Sequence, residues 1–574
     1  VFVSYLNGAF QRNRFKSIPR WIAPFFISQR ADLAKVLMLS MIAIALSFAQ
    51  PMLTKQIIDN GVLAKDIDAL IISGLSMFAI TLVSPLVGYY TRHFYVSAST
   101  QISQRMREAL FKQVLKFRAT DLAYYHRGDL LTRLDGDLSE VQRFAMDTVM
   151  SSINSVVILV GTIAILGSMN FWLTLFVVSI FFLNTFILKF VRPRLERVSK
   201  QSRELGVALS SYLVERIGAI RHIQGNSAEE HEVLKLKGLH KNIYDCSLDV
   251  QAVGYMVSAL PNLVITTGIV IIFVCGGIAV VNEAGMTLGM LVAFTTYAQR
   301  ISGPLQSFSG VYVAWQRAKI SVNRIIPILE VVSAAEKRIL DGEPAGADRL
   351  GEIVVSNMSF AYPNSLKRII DRASFIIGKG QKIQITAPSG SGKSTLIDLL
   401  VGQQLPLEGN VVVCGADISS QSLEFIRKHV KVVSGEPVLF TGSLLDNITY
   451  GNPGADLAEV KHIVEMLGLD KDFGCVENYH NYRIGYDGRA LSVGQRQRVA
   501  LGSALLAKPA ILILDEALSG VEIVLEKYIL NQIDAHYPSM TKVYVSHRVD
   551  SESNYDFRIL IGSGNLSVLD ETTA

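Results

Sequence analysis

The sequence predicts two folds in series. A multi-pass α-helical membrane domain, six transmembrane helices with long cytoplasmic extensions, is followed by an α/β P-loop domain. Three observations predict this. The 574 residues are 50% hydrophobic and only 18% charged, with a mean hydropathy of +0.33, far too apolar for a soluble protein of this length. Apolar runs long enough to cross a bilayer, which takes roughly 20 residues, fill the first half. The second half switches to short apolar strands alternating with helices, and carries TAPSGSGKST at 386–395.

The elements follow in chain order. Residues 1–32 form an N-terminal cytoplasmic or interfacial segment. Within it Phe15 to Phe26, with Trp21, Phe25 and Phe26 beside Lys16 and Arg20, suits either a helix lying in the membrane interface or the frayed start of the first span. A chain that opens on Val1 is expected to lack a leading segment. Arg12, Arg14, Lys16 and Arg20 precede no short cleavable apolar core, so no signal peptide is read here.

The membrane domain covers 33–332, with spans near 33–57, 69–95, 148–169, 172–192, 252–281 and 285–303. Its cations set the orientation. Arg105, Arg107, Lys112, Lys116, Arg118, Arg127, Arg133 and Arg143 lie between spans two and three, and Lys200, Arg203, Arg216, Arg221, Lys235 and Lys237 between spans four and five. The turns at 167–170 and 281–285 have no Lys or Arg. Both long loops and both termini are therefore expected in the cytoplasm, with the spans in a bacterial inner membrane. Residues 97–145 and 193–250 keep apolar periodicity but carry too many charges for lipid, so their helices should continue past the bilayer. Arg92, His93 and Arg300 near span ends read as snorkelling or cytoplasm-facing charges, not as a binding site.

Residues 333–350 (SAAEKRILDGEPAGADRL) gain Pro, Gly and charge and read as a linker to a second domain at 351–574. The net charge of +5 is small for this length and gives no reason to expect a nucleic acid partner. Cys246, Cys275, Cys414 and Cys475 show no metal or pairing spacing.

Chemistry concentrates in three segments of the second domain. Ile383 and Ile385 lead into a small-residue loop, Ser389, Gly390, Ser391 and Gly392, and then a helix beginning near Lys393, Ser394 and Thr395. Such a loop turns backbone N–H groups around phosphates, and the helix N-terminus adds positive dipole. Lys393 can reach the β- and γ-phosphates of ATP while Ser394 ligates Mg²⁺. ILILDEA at 511–517 is a buried strand ending in Asp515, fit to hold the Mg²⁺ shell, and Glu516, fit to polarise an attacking water. LSVGQRQRVA occupies 491–500.

Six spans with two long cytoplasmic helical loops, then a Walker A loop, an LSxGQ segment and a Walker B strand, resemble an ABC exporter half-transporter over nearly the whole chain. YYHRGDLLTRLDGDLSEV at 124–141 is similar to the family's first coupling loop, with Gly128, Leu131, Arg133 and Asp137 in register, and ERIGAIRHIQGNSAEE at 215–230 to the second. TGSLLDNI at 441–448 is also exporter-like. The resemblance implies that Tyr362 stacks on adenine and that His547 contacts the γ-phosphate. It implies further that Ser492, Gly494 and Gln495 serve the ATP of a second subunit, so that a dimer is required, with loop regions 119–127 and 219–228 transmitting closure to the spans.

The sequence departs from the family pattern in several places. Ala387 replaces the first glycine of the phosphate loop, and Gly435 stands where a glutamine touching Mg²⁺ and water is usual, with Ser434 and Glu436 beside it. Val493 replaces the middle glycine of LSGGQ, where a β-branched side chain is expected to hinder approach to nucleotide. LSGVE at 518–522 replaces the usual S-A-L-D segment, so that Glu522 stands for its aspartate, and Tyr486 with Asp487 replaces an expected glutamate. Three readings stay open: a homodimeric exporter, favoured because Glu516 and His547 are retained; the atypical half of a heterodimer; and an ATP-gated channel or regulatory protein with little hydrolysis. Peptides, lipids and amphipathic drugs all fit as substrate, with a slight preference for a peptide from resemblance. No cysteine-histidine protease motif is present in residues 1–32.

Overall fold

The computed structural model describes residues 14–125, 127–283, 285–340, 349–362, 368–386, 388, 390–419, 423–485, 488, 490–546, 555–562 and 565–570. The chain forms two compact units: Val1–Glu108 with Arg133–Ile325, and Ala109–Thr132 with Ile326–Ala574.

The first unit is helical. Its helices are α1 (Arg14–Ile27), α2 (Arg30–Gln56) continued by a π-helical turn at Ile57–Leu63, and α3 (Ile67–Val114), whose last residues pass into the second unit. The first loop then holds α4 (Ala119–Ala123) and α5 (Arg127–Thr132), followed by α6 (Leu138–Arg143) and α7 (Val149–Met169). Next come α8 (Phe171–Gly218), α9 (Ile220–Gly225), α10 (Glu229–Val281), α11 (Leu288–Arg300) and α12 (Ser302–Leu340). Helices α3 and α8, 48 residues each, are about 72 Å long at 1.5 Å per residue. That is more than twice the roughly 30 Å of a bilayer core. The apolar runs therefore continue into the charged regions as unbroken helix, as the periodicity predicts.

Five helices are long and apolar enough to cross a membrane among the described residues. The sixth expected span, 285–303, is built differently. Helix α11 has 13 residues, about 20 Å, and the chain breaks at Ile301 before resuming in α12. Gly303 and Pro304 just beyond the break account for it, since proline tolerates only the first turn of a helix. Helix α11 lies in the core of the bundle, with Phe294, Tyr297 and Leu291 buried against Leu166, Val177 and Ile272. Asp59 fixes its start, accepting from Gly289 N at 2.8 Å and Thr287 Oγ1 at 2.5 Å. Arg300 fixes its end, donating to Ser47 O at 2.5 Å. Helix α12 runs on through 333–340, inside the expected linker, because Ala, Glu, Lys and Leu are strong helix formers.

The second unit is α/β. In chain order its remaining strands and helices begin with β1 (Ile353–Phe360), β2 (Ile370–Ile377), β3 (Lys382–Thr386), α13 (Lys393–Leu400), β4 (Glu408–Val413), β5 (Ala416–Asp417), α14 (Leu423–His429) and β6 (Val430–Ser434). There follow β7 (Gly442–Ser443), α15 (Leu444–Ile448), α16 (Leu457–Met466), α17 (Asp470–Phe473), β8 (Arg483–Ile484), α18 (Val493–Leu506), β9 (Ile511–Asp515), α19 (Ile523–His536), β10 (Thr541–Ser546), β11 (Phe557–Gly562) and β12 (Asn565–Asp570). A six-stranded sheet has the order β12-β11-β3-β10-β9-β6, parallel except for β12; a four-stranded antiparallel sheet has the order β2-β1-β4-β5.

The long loop between the second and third expected spans folds into this unit. Phe117 is 2% exposed. Arg427 donates to Leu115 O and Phe117 O, both at 3.1 Å, just past the carbonyl end of α3 where helical acceptors are left open. Burial holds the Arg427 guanidinium below its usual range. Ala119 N donates to Gln403 Oε1 at 3.0 Å and Arg118 Nη2 to Ile418 O at 3.3 Å.

Candidate functional site

Strand register assembles the site. Thr386 pairs with Ser546, Val545 with Asp515, and Ser434 with Asp515. The carboxyl ends of β3, β10, β9 and β6 therefore form one edge, where ligands bind in parallel α/β sheets. The phosphate loop leaves this edge from β3 and enters α13. Gly390 and Gly392 have φ of 77° and 107°, which side-chain-bearing residues rarely adopt. Gly392 is the N-cap of α13 and supplies no side-chain cap, so the first N–H groups of the helix have no side-chain acceptor at that position.

Lys393 and Glu516 meet here. The Lys393 side chain is 10% exposed and its Nζ lies 3.5 Å from Glu516 Oε1. Glu516 has φ 54°, a strained value for a non-glycine residue, held by Glu516 N donating to Val545 O at 3.0 Å and Ser519 N donating to Glu516 O at 3.1 Å. Asp515 ends β9 beside it. Asp398 on α13 has its carboxyl pushed up by burial and then by the Asp515 charge. Ser394 is exposed at the start of α13, and Ser391 Oγ donates to Pro388 O at 2.6 Å. Tyr362 shares a 3.0 Å hydrogen bond with Thr395 Oγ1, stands edge-on to Phe360, and is 39% exposed. Positive-φ glycines, a helix start without a side-chain cap, a mostly buried lysine and two carboxylates at one sheet edge fit a magnesium-bound nucleoside triphosphate.

The LSVGQ segment starts α18. Ser492 Oγ accepts from Gln495 N at 3.2 Å and Ser492 N donates to Gln495 Oε1 at 2.9 Å, a reciprocal capping box. Gly494 is buried, and a Cβ there would lie 2.6 Å from Gly520 O. Val493 is 47% exposed and leans on Gly520. TGSLLDNI is held by a second capping box, Ser443 with Asp446, and by Asn447 Nδ2 donating to Phe440 O at 2.9 Å. Ser389, His547, Ala387, Tyr486 and Asp487 lie outside the described residues. Ser434 and Glu436 are exposed at the end of β6.

Comparison with known proteins decides the family. The family model for the ABC transporter transmembrane region matches residues 33–305 and that for the ABC transporter matches residues 370–519, fused in one chain. The chain belongs to the ABC transporter superfamily. It is an exporter-type half-transporter that binds ATP with Mg²⁺ and couples its hydrolysis to transport. An uncharacterized ABC transporter ATP-binding protein, YfiB of Bacillus subtilis, is 26% identical over 93% of this chain and 92% of its own length. An ATP-dependent lipid A-core flippase of Chromobacterium violaceum is 24% identical over 93% and 91%. A bacterial Atm1-family ABC exporter with ATP bound superposes with a TM-score of 0.74 at 18% identity, covering 95% of each chain.

Sequence reasoning about this transporter missed Gln497, Gly520, Arg427 and Gln403. The first lies two residues beyond the LSVGQ letters. Gly520 lies inside the LSGVE segment but was not singled out, and Arg427 and Gln403 carry no motif, so only their contacts mark them.

Proposed function

We propose that this half-transporter works as a homodimer in a bacterial inner membrane, nucleotide domains in the cytoplasm, exporting an amphipathic substrate. The observation that carries the catalytic part is the 3.5 Å approach of Lys393 Nζ to Glu516 Oε1 beside the helix start without a side-chain cap. Lys393 and the α13 N–H groups hold the phosphates, Glu516 takes the proton of the attacking water, and Tyr362 presents its exposed face to adenine. His547 contacts the γ-phosphate. Ser394 and Asp515 hold Mg²⁺, which supplies charge neutralisation on the phosphoryl oxygens when bound. Ser389, Gly390, Ser391, Gly392 and Thr395 complete the cradle, and Ser492, Gly494 and Gln495 face the ATP of the second copy.

Three observations support the rest. The cytoplasmic orientation rests on the Lys and Arg excess of the two long loops. The second loop exposes Ile217 (69%) and Ile220 (52%) at its tip, an apolar surface suited to a second copy. For the substrate, an apolar recess of about 440 Å³ is lined by Phe144, Thr148, Val149, Ser152, Ile153 and Val156, and suits the hydrocarbon part of a peptide, lipid or drug-like molecule. Relatives named as a lipid A-core flippase and as a putative multidrug export protein fit this class.

Glu516→Gln in the purified full chain tests the reading. ATP hydrolysis should fall at least a hundredfold with ATP binding retained, and an unchanged rate would sink the assignment. Reconstituted vesicles should accumulate substrate against its gradient, which a channel cannot do.

A further inference from the structure

Glu516 holds a left-handed backbone at the end of a β-strand, and something must keep it there. Its carbonyl accepts from Ser519 N, and Gly435 packs so close that a Cβ on it would lie 3.2 Å from Glu516 O and 3.4 Å from Glu516 Cβ. One side chain ties these pieces together. Gln497, on the buried face of α18 and fully inaccessible to solvent, donates through Nε2 to Gly435 O at 2.7 Å and to Ser519 Oγ at 3.1 Å. Its Oε1 accepts from Gly520 N at 2.9 Å. Both functional ends of the amide are used, and all its partners flank Glu516.

We propose that Gln497 is the positioning residue for Glu516, and that it makes the LSVGQ turn and the hydrolytic carboxylate one mechanical piece. The inference rests on the reading of Glu516 given above. The contact between Val493 and Gly520 completes the link. A Cβ on Gly520 would fall 2.8 Å from Val493 Cγ1 and 3.2 Å from Gln497 Oε1, while Gly494 meets Gly520 O from the other side. Val493 is therefore compatible with this fold because residue 520 is glycine: the side-chain volume sits on the α18 side of the contact. Gly435 and Gly520 thus both bond the Gln497 amide, and Val493 packs on Gly520 beside it. Motion of the LSVGQ turn, the part proposed to face the second copy's ATP, reaches the carboxylate that acts on the chain's own ATP through Gln497.

Steady-state ATP hydrolysis by the full chain in lipid nanodiscs tests this. Gln497→Glu keeps the shape but loses both donors and sets a carboxylate against the Gly435 carbonyl. It should lower kcat at least tenfold with KM for ATP within twofold, because the phosphate loop is untouched. Gly520→Ala should lower kcat similarly, and adding Val493→Gly should restore it to within threefold of the parent. An unchanged kcat in Gln497→Glu, or a Gly520→Ala defect that Val493→Gly leaves unrepaired, overturns the proposal. If Gln497→Glu loses its fold, seen as a collapsed melting transition, the Gly520 and Val493 pair decides alone. Glu516→Gln is measured alongside: an unchanged rate there removes the catalytic reading itself, whereas a collapsed rate with normal Gln497→Glu turnover removes only the positioning role.

Discussion

The two long basic loops look alike in sequence, each a helical connection between long helices, yet they end in opposite situations. The first, at 109–132, is built into the nucleotide-binding unit: Phe117 is buried, Arg427 grips the carbonyls of Leu115 and Phe117, and Gln403 holds Ala119. The second, around α9, belongs to the membrane unit and leaves Ile217 and Ile220 exposed at its tip. It is braced at its base, where Tyr212 donates to Glu232 Oε2 and Arg216 pairs with Glu232 at 2.8 Å. One loop is anchored on its own ATPase domain, and the other offers a surface. The anchoring runs straight to the site: Gln403 follows α13, whose first turn carries Lys393, and Gln403 N donates to Asp398 O at 2.8 Å.

The largest effect should come from emptying the first loop's anchor. Phe117→Ala should cost about 3–5 kcal/mol, the usual loss for a buried phenylalanine. Hydrogen exchange should show residues 109–132 opening, and transport should stop while ATP binding persists; protected amides there would contradict the anchor. Arg427→Ala should cost about 1.5–3 kcal/mol, since it removes hydrogen bonds from a charged donor, with Arg427→Lys intermediate because the two-pronged fork is lost. Transport per ATP hydrolysed should fall in the same order.

On the second loop, Ile217→Asp with Ile220→Asp should leave the folding free energy nearly unchanged, within about 0.5 kcal/mol, as for exposed positions generally. ATPase activity should nevertheless drop, because the proposed engagement with a second copy is lost. A parent-like rate would show that the tip is ordinary surface. The smallest effect concerns Asp398. The Asp398 carboxyl is raised in the folded chain, so the folded state binds the proton more tightly than the unfolded one, and stability falls as pH rises from the ordinary carboxylate range through the raised folded-state value. Asp398→Asn should flatten this part of the stability–pH curve, and an unaltered slope would contradict the burial and Asp515 repulsion described here.

Legibility differed by kind of feature. Helices running past the bilayer were readable because apolar periodicity continues through charged sequence, and the phosphate loop because its spacing is set by backbone geometry. The break at Ile301 was signalled by Gly303 and Pro304 but masked by the apolar run around it. Val493 looked like an obstacle when read along the chain; in the fold its volume is met by Gly520, 27 residues on. Gly435 looked like a lost ligand, and in the fold it also gives the close approach to Glu516. His547 and Ser389 lie outside the described residues, so their places rest on the sequence.

By itself, then, the sequence determined what each segment is. Hydrophobic runs must leave water, cations distribute to one side, and a glycine-rich turn before a helix concentrates phosphate donors, all consequences of local composition and spacing. Only the tertiary structure decided which segments hold one another. Arg427 lies 312 residues from Leu115, and Gln497 lies 62 residues from Gly435. No periodicity encodes such pairs, because buried hydrogen bonds are chosen by which donors and acceptors the packed fold strips of water together.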